Sequence, residues 1–255
     1  MAPWVAVLVS AVVALGGGRA GALTPGGAVA AWAVGSAVLL GTGWPGAAAL
    51  GAFFVSSSVV SRLAPERSSE AKGTRRDSRQ VLANGGAAAV GGLVGLSDPL
   101  AGLWVVTGSL AAAAADTWAT SVGGFSRPAP RHVLTWQPVE PGSNGGVTLL
   151  GTAGGLTGAL IVAAAGSKAS GVPLLLPAAA LVGFVGMVAD SLLGAAVQGR
   201  FRCPRCDARS EWRVHRCGSF TVPQGGWAWL DNDGVNAAAT ALGAFGGWVG
   251  WRLLS

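Results

Sequence analysis

Along the chain, apolar stretches long enough to cross a bilayer alternate with short segments that carry nearly all the charge. About 20 apolar residues in helical form span a ~30 Å hydrocarbon core. Eight stretches approach that length: 2–16, 24–40, 44–60, 80–96, 99–115, 147–165, 172–197 and 235–251. The first is short, but no basic residue precedes its apolar run, so it reads as a retained span rather than a cleaved signal. The runs are continuous rather than alternating, which favours helices over a membrane barrel. The expected fold is all-α: a polytopic transmembrane bundle of about eight spans, with six as the lower bound. Residues 1–255 form one transmembrane domain, with a cytoplasmic loop at 199–220 inserted between the last two spans.

The charges fix the orientation. Arg62, Arg67, Lys72, Arg75, Arg76 and Arg79 crowd the segment between spans three and four. Arg200, Arg202, Arg205, Arg209, Arg213 and Arg216 crowd the one between spans seven and eight. Arg127 and Arg131 separate spans five and six, and Arg19 separates one and two. With eight alternating spans these segments share a face, and only Lys168 and Arg252 fall on the other. By the positive-inside rule the loaded face is cytoplasmic, and the protein sits in the cell membrane as a multi-pass chain.

Composition narrows the class further. Charged residues make up 11% of the chain, against about 25% in ordinary soluble domains. Mean hydropathy is +0.53. Soluble enzymes, disordered chains and nucleic-acid-binding domains are disfavoured, and three Cys are too few for a disulfide scaffold. Gly and Ala dominate the spans; Gly86, Gly91 and Gly95, or Gly154 and Gly158, recur at helical spacing and read first as close helix packing.

Ionisable and amide groups at membrane depth are costly and usually functional. Asp116 ends span five, Asp190 lies inside span seven, and Asn84 falls in the first turn of span four. Asn144 precedes span six in a Gly-rich segment with Gly145 and Gly146. Asp231, Asn232, Asp233 and Asn236 open span eight. Five segments thus bring carboxylates or amides to one depth near the cytoplasmic face. Such oxygens suit Mg²⁺, which bridges carboxylates to substrate phosphates. The Asn144 segment can offer bare backbone N–H groups to an anion. Lys72, Arg75, Arg76 and Arg79 can clamp a polyphosphate. Plainer readings stand beside these: Asp116 as a helix cap, Asp190 as a structural hydrogen bond, Asn84 as helix–helix glue, Asp231 to Asp233 as a turn and N-cap, and the basic run as a topology signal.

Cys203-Pro-Arg-Cys206, His215 and Cys217 all fall in the last inner loop. Cys-x₂-Cys with His-x-Cys can close a Cys₃His zinc site, structural because all four positions are filled. Free thiols and redox chemistry are the alternatives.

At these residues the chain resembles the integral membrane family that includes the phytyl-phosphate kinases and many uncharacterised prokaryotic members. The shared motifs are Arg79-Gln-Val-Leu-Ala-Asn84-Gly-Gly, Ala115-Asp116-Thr-Trp-Ala119, Pro141-Gly-Ser-Asn144-Gly-Gly146, Asp190-Ser-Leu-Leu-Gly-Ala195 and Asn232-Asp233-Gly-Val-Asn236. Where members often carry an acidic residue two places after Ala119, this chain has Ser121. Glu140 stands where a second Pro is frequent. The resemblance implies phosphorylation of an isoprenoid monophosphate to its diphosphate by a nucleoside triphosphate, CTP among the candidates. Asp116, Asp190 and Asp233 would then be catalytic, the first two on Mg²⁺. Asn84, Arg76, Arg79, Arg131, Asn144, Gly145, Gly146, Asn232 and Asn236 would bind substrate. A solute transporter using the carboxylates, or a non-catalytic scaffold with a zinc loop, are the competing classes. No Gly-x₄-Gly-Lys-Ser/Thr phosphate loop is present.

Overall fold

In the computed structural model, the described residues are 2–65, 75–210 and 213–254. Arg67 and Lys72 of the basic run lie outside them. The helices are α1 (Pro3–Arg19), α2 (Pro25–Leu63), α3 (Ser78–Gly95), α4 (Pro99–Gly123), α5 (Leu149–Ser170), α6 (Leu175–Ala196) and α7 (Asn232–Leu254). Two small sheets sit in the connections: β1 (Arg131–His132) with β2 (Gly146–Val147), and β3 (Arg200–Arg202) between β4 (Arg209–Ser210) and β5 (Val222–Gly225). The chain is a helical membrane protein. By length and composition, α2, α4, α5 and α6 can each cross a bilayer.

Helix starts follow local chemistry. The side chains of Thr24, Asp77, Asp98 and Thr148 each accept a backbone N–H of the first turn. Asp77 and Gln80 form a reciprocal capping box, so α3 starts two residues before the expected Gln80.

α2 covers both the second and third expected spans. It breaks at Gly43, whose φ of 63° and ψ of −151° leave the helix, and Pro45 follows. Proline lacks the N–H for the local ladder, and glycine alone takes that backbone turn without strain. The halves then run back along each other. Gly35 lies against both Ser10 and Leu50, Gly17 against both Leu23 and Phe54, and Arg62 donates to the Ala20 carbonyl at 2.8 Å. Among the described residues the seven helices therefore make eight rods.

α4 is the axis of the bundle. Every residue from Ala101 to Ala115 is buried, and α2, α3, α5, α6 and α7 all pack on it. Glycines let backbones meet directly. A Cβ at Gly243 would stand 2.6 Å from the Gly108 carbonyl, and one at Gly183 would stand 2.7 Å from the Ala111 Cβ. In lipid, where hydrophobic exclusion does not drive helices together, such close approach supplies much of the packing energy. The outer faces of the rods carry exposed Leu8, Val12, Val29, Val55, Leu93, Leu181 and Phe245, as a lipid-facing surface requires.

The basic connections do share one end. Leu23 bridges Arg76, Gly124 lies against Pro65, Arg79 pairs with Asp231, and Arg209 approaches Glu140 at 3.8 Å. The last connection extends further than expected: β5 lies beyond residue 220 and completes the sheet with β3.

Candidate functional site

α4 and α6 run in parallel with small residues in contact: Gly183 meets Ala111 and Gly186 meets Ala112. One turn further, the carboxyl groups of Asp116 and Asp190 face each other within hydrogen-bonding range. Asp190 Oδ2 is buried and receives no hydrogen bond. Asp116 is not a cap, because α4 continues two turns past it to Gly123. The continuation is held by Thr117 Oγ1 donating to the Ala113 carbonyl and Trp118 Nε1 donating to Ser56 Oγ at 3.3 Å. Two facing carboxyls, one with a buried oxygen that accepts no hydrogen bond, have the chemistry to serve as oxygen ligands for a hard divalent cation.

α7 delivers its polar start to the same level. It runs antiparallel to α4: Gly247 meets Trp104, Gly243 meets Gly108, and Gly186 touches both Ala112 and Ala239. The next turn sets Val235 and Asn236 beside Asp116. Asp233 and Asn236 are both buried. Asp231 caps the helix by accepting the Gly234 N–H at 3.1 Å and also takes Arg79 Nη2 at 2.8 Å. Arg79 Nε stands 4.0 Å from Asp233. Asn232 is the first residue of α7.

α3 contributes Asn84 in its second turn, not its first. The Asn84 amide donates to the Gln80 carbonyl at 2.9 Å. Since Gly95 meets Gly102 and Gly91 meets Val105, Asn84 lies near the level of Ala113, about one turn from Asp116. α7 is tied to α3 there by Thr240 Oγ1 donating to the Ala83 carbonyl.

The Asn144 segment is a turn before β2, with Asn144 five residues ahead of α5, rather than a helix N-terminus. Gly145, at φ 71°, packs on Ala195 and the Ser191 carbonyl, the residue after Asp190. The Gly146 N–H is spent on the Ser143 carbonyl, so the expected run of bare N–H groups is reduced by one. Arg131 stands apart. Its guanidinium donates to the Trp136 carbonyl, and among the described residues no ion pair joins it to Asp116, Asp190 or Asp233.

Arg76 and Arg79, one turn apart in sequence, part company. Arg79 serves α7, whereas Arg76 stands over the rings of Phe53 and Phe54 at 5.4 and 5.9 Å. Phe53 and Phe54 carry no motif, and sequence reasoning missed them; Gln80 lies within the Arg79-to-Gly86 motif but was given no role there. Ser121 is buried with its hydroxyl 3.5 Å from that of Ser61, and the Asp116–Asp190 pair is complete without it.

In the last connection, β3 and β4 flank the Cys203–Cys206 knuckle, closed by Cys203 N–H on the Ala208 carbonyl. A second tight turn carries His215 and Cys217. The four ligand atoms lie within 4.8 Å of one another. Cys203 Sγ is 3.5 Å and His215 Nδ1 is 3.2 Å from Cys217 Sγ. Zinc–sulfur bonds of about 2.3 Å in a tetrahedron set ligands roughly 3.8 Å apart, so the group fits. The His215 hydrogen bond lowers the Cys217 thiol to about 6.

The family described as "Integral membrane protein DUF92" matches residues 8–244, which takes in every motif above. Protein PGR of Arabidopsis thaliana is 30% identical over 276 positions, covering 94% of this chain and 93% of the relative. An uncharacterized membrane protein of Methanocaldococcus jannaschii is 32% identical over 152 residues, covering 56% and 61%. An uncharacterized membrane protein of Synechocystis sp. is 28% identical over 237 residues, covering 87% and 80%. No solved structure matches the chain.

Proposed function

This chain belongs to the DUF92 family of integral membrane proteins, and on that premise we propose that it is a membrane-embedded phosphotransferase. It converts an isoprenoid monophosphate to the diphosphate with a nucleoside triphosphate, CTP among the candidate donors. All eight rods cross the bilayer, and the basic end faces the cytoplasm, where nucleotide is available. The observation that carries the reading is the Asp116–Asp190 pair, with a buried carboxylate oxygen that no protein donor reaches.

Asp116 and Asp190 would hold Mg²⁺, which when bound supplies charge neutralisation on the polyphosphate. The chain's own residues do the rest. Asn236, Asn84 and Asn144 offer amide N–H groups to phosphate oxygens from three elements. Arg79, braced by Asp231 and Asp233, offers its remaining N–H groups to charge growing on the transferred phosphoryl. An oxygen of the lipid monophosphate attacks the terminal phosphorus of the nucleotide. The bond from that phosphorus to the bridging oxygen breaks, and the nucleoside diphosphate leaves with the electron pair. The monophosphate is already anionic, so positioning and electrostatics suffice without a strong base. Zinc at Cys203, Cys206, His215 and Cys217 braces the connection that leads into α7, and Arg131 drops to a peripheral contact.

The test is purified protein with radiolabelled nucleotide and a panel of prenyl monophosphates. Mg²⁺-dependent diphosphate with at least one is expected; none with any of them sinks the reading. Undiminished turnover in Asp190→Asn would remove that residue from the site.

A further inference from the structure

We infer that the cavity between α1, the two halves of α2, and α3 receives the hydrocarbon chain of a single-chain lipid phosphate, with Arg76 and Asn84 meeting its head group. This assignment rests on the phosphotransferase reading and locates its lipid substrate.

The cavity holds about 520 Å³, within the size of a small-ligand site. Its walls are almost wholly apolar, from Val13 and Val34 to Leu50 and Phe53. Along the second half of α2 it runs from Trp44 to Val55, eleven residues, or about 16 Å of helix. That length suits one extended prenyl chain, and about 520 Å³ fits one such chain better than two. Polar groups gather at one end: Arg76, Gln80 and Asn84. Trp44 and Ala47 line the opposite end, beyond Leu39.

Arg76 is built in rather than draped over the surface. Its N–H donates to the Ala22 carbonyl at 2.9 Å, and its carbonyl accepts from Thr24 N–H at 3.0 Å. Those bonds fix the backbone and aim the guanidinium across the Phe53 and Phe54 rings into the cavity. Among the described residues no carboxylate or carbonyl pairs with it, whereas Arg62, Arg75 and Arg79 are each engaged. Burial lowers Arg76 to about 10, so it remains a cation at neutral pH. A part-buried cation against aromatic rings without an anion is costly, and a phosphate at the polar end of the apolar groove supplies the missing partner. Asn84 faces this cavity and lies about a turn from the level of Asp116, which puts the head group at the depth of the carboxylate pair.

Gly51 lines the cavity, and a Cβ added there meets nothing within 4 Å. Gly51→Leu therefore fills the tunnel without pressing on backbone. Gly16→Leu is the control, since Gly16 is equally open but lines no part of it. Binding of geranylgeranyl, farnesyl and geranyl monophosphates to the purified protein is measured without nucleotide. Gly51→Leu should weaken the longest chain at least about tenfold and spare the shortest, whereas Gly16→Leu should match wild type. Arg76→Gln should weaken geranylgeranyl monophosphate at least about tenfold and leave geranylgeraniol unchanged. Unaltered chain-length preference in Gly51→Leu, indifference to Arg76→Gln, equal competition by a two-chain phosphatidic acid, or no binding to wild type would each overturn the assignment. Binding with the expected dependence but no diphosphate formed would refute the phosphotransferase reading alone. Turnover with unaltered chain preference in Gly51→Leu would refute the tunnel alone.

Discussion

Asp190→Asn should make the protein more stable in the absence of divalent cations and less responsive to Mg²⁺. Asp190 Oδ2 is buried without a donor, and the group opposite is the Asp116 carboxyl. Replacing one carboxyl by an amide puts an N–H where two acceptors faced each other. A hydrogen bond to a charged partner contributes about 1.5–3 kcal/mol. For a chain of this size each kcal/mol moves the midpoint by roughly 2–4 °C, so the variant should melt roughly 3–12 °C higher in EDTA. A proton shared by the wild-type pair would already supply such a bond, so the comparison is made at alkaline pH, where the pair is ionised. Mg²⁺ acts the other way. At a hundredfold excess over its Kd it stabilises wild type by about 2.7 kcal/mol, and the variant should lose most of that shift. The assay is thermal unfolding in detergent, followed by fluorescence of the 11 Trp, in EDTA and across a Mg²⁺ titration. A variant that melts below wild type in EDTA, or an equal Mg²⁺ shift in both proteins, would refute the reasoning.

Arg79→Gln should cut turnover at least about tenfold, as expected for an electrostatic contact to the transferred group. Its melting point should change little, because a pair with Arg79 70% exposed contributes at most about 1 kcal/mol; equal loss of both would make it merely structural. Elemental analysis should find one zinc per chain, lost in Cys203→Ser; unchanged stoichiometry would refute the ligand set. A membrane-impermeant maleimide, applied after chelation, should label exposed Cys206 in inverted vesicles and not in right-side-out ones; the reverse pattern would invert the topology. Gly95→Ala should destabilise by about 1–3 kcal/mol, since its Cβ would stand 2.6 Å from the Gly41 carbonyl. Gly86→Ala, with nothing within 4 Å, should stabilise by up to about 1 kcal/mol through helix propensity. Equal effects of the two would show that close packing is not what selects glycine there.

The rods were legible because lipid imposes one rule on every span: a long apolar run with its backbone bonds made internally. The gap between residues 40 and 44 marked a break, and Gly43 and Pro45 are its cause. Ends were read less well where polar residues belong to helices. The apolar run ends at Ala115 before Asp116, whereas α4 continues to Gly123. Its last turns persist because Thr117, Trp118 and Ser121 find partners on their own or neighbouring helices. The depth of Asp116, Asp190, Asn84, Asp233 and Asn236 also followed from the sequence, since depth depends only on position within a span.

Facing is another matter, because it depends on how each helix is rotated about its axis against its neighbours. Nothing local in the chain says that Asp116 meets Asp190, or that Arg79 turns to α7 while Arg76 turns into an apolar cavity. The glycine contacts of α4 with α6 and α7 set the first of these, and the backbone bonds of Arg76 to Ala22 and Thr24 set its own direction. Thus the pattern along the chain sets the rods, the basic end they share and the level of each polar group along its rod. Only the tertiary packing decided which of those groups meet, because helices that share a depth can still present their polar faces in any direction.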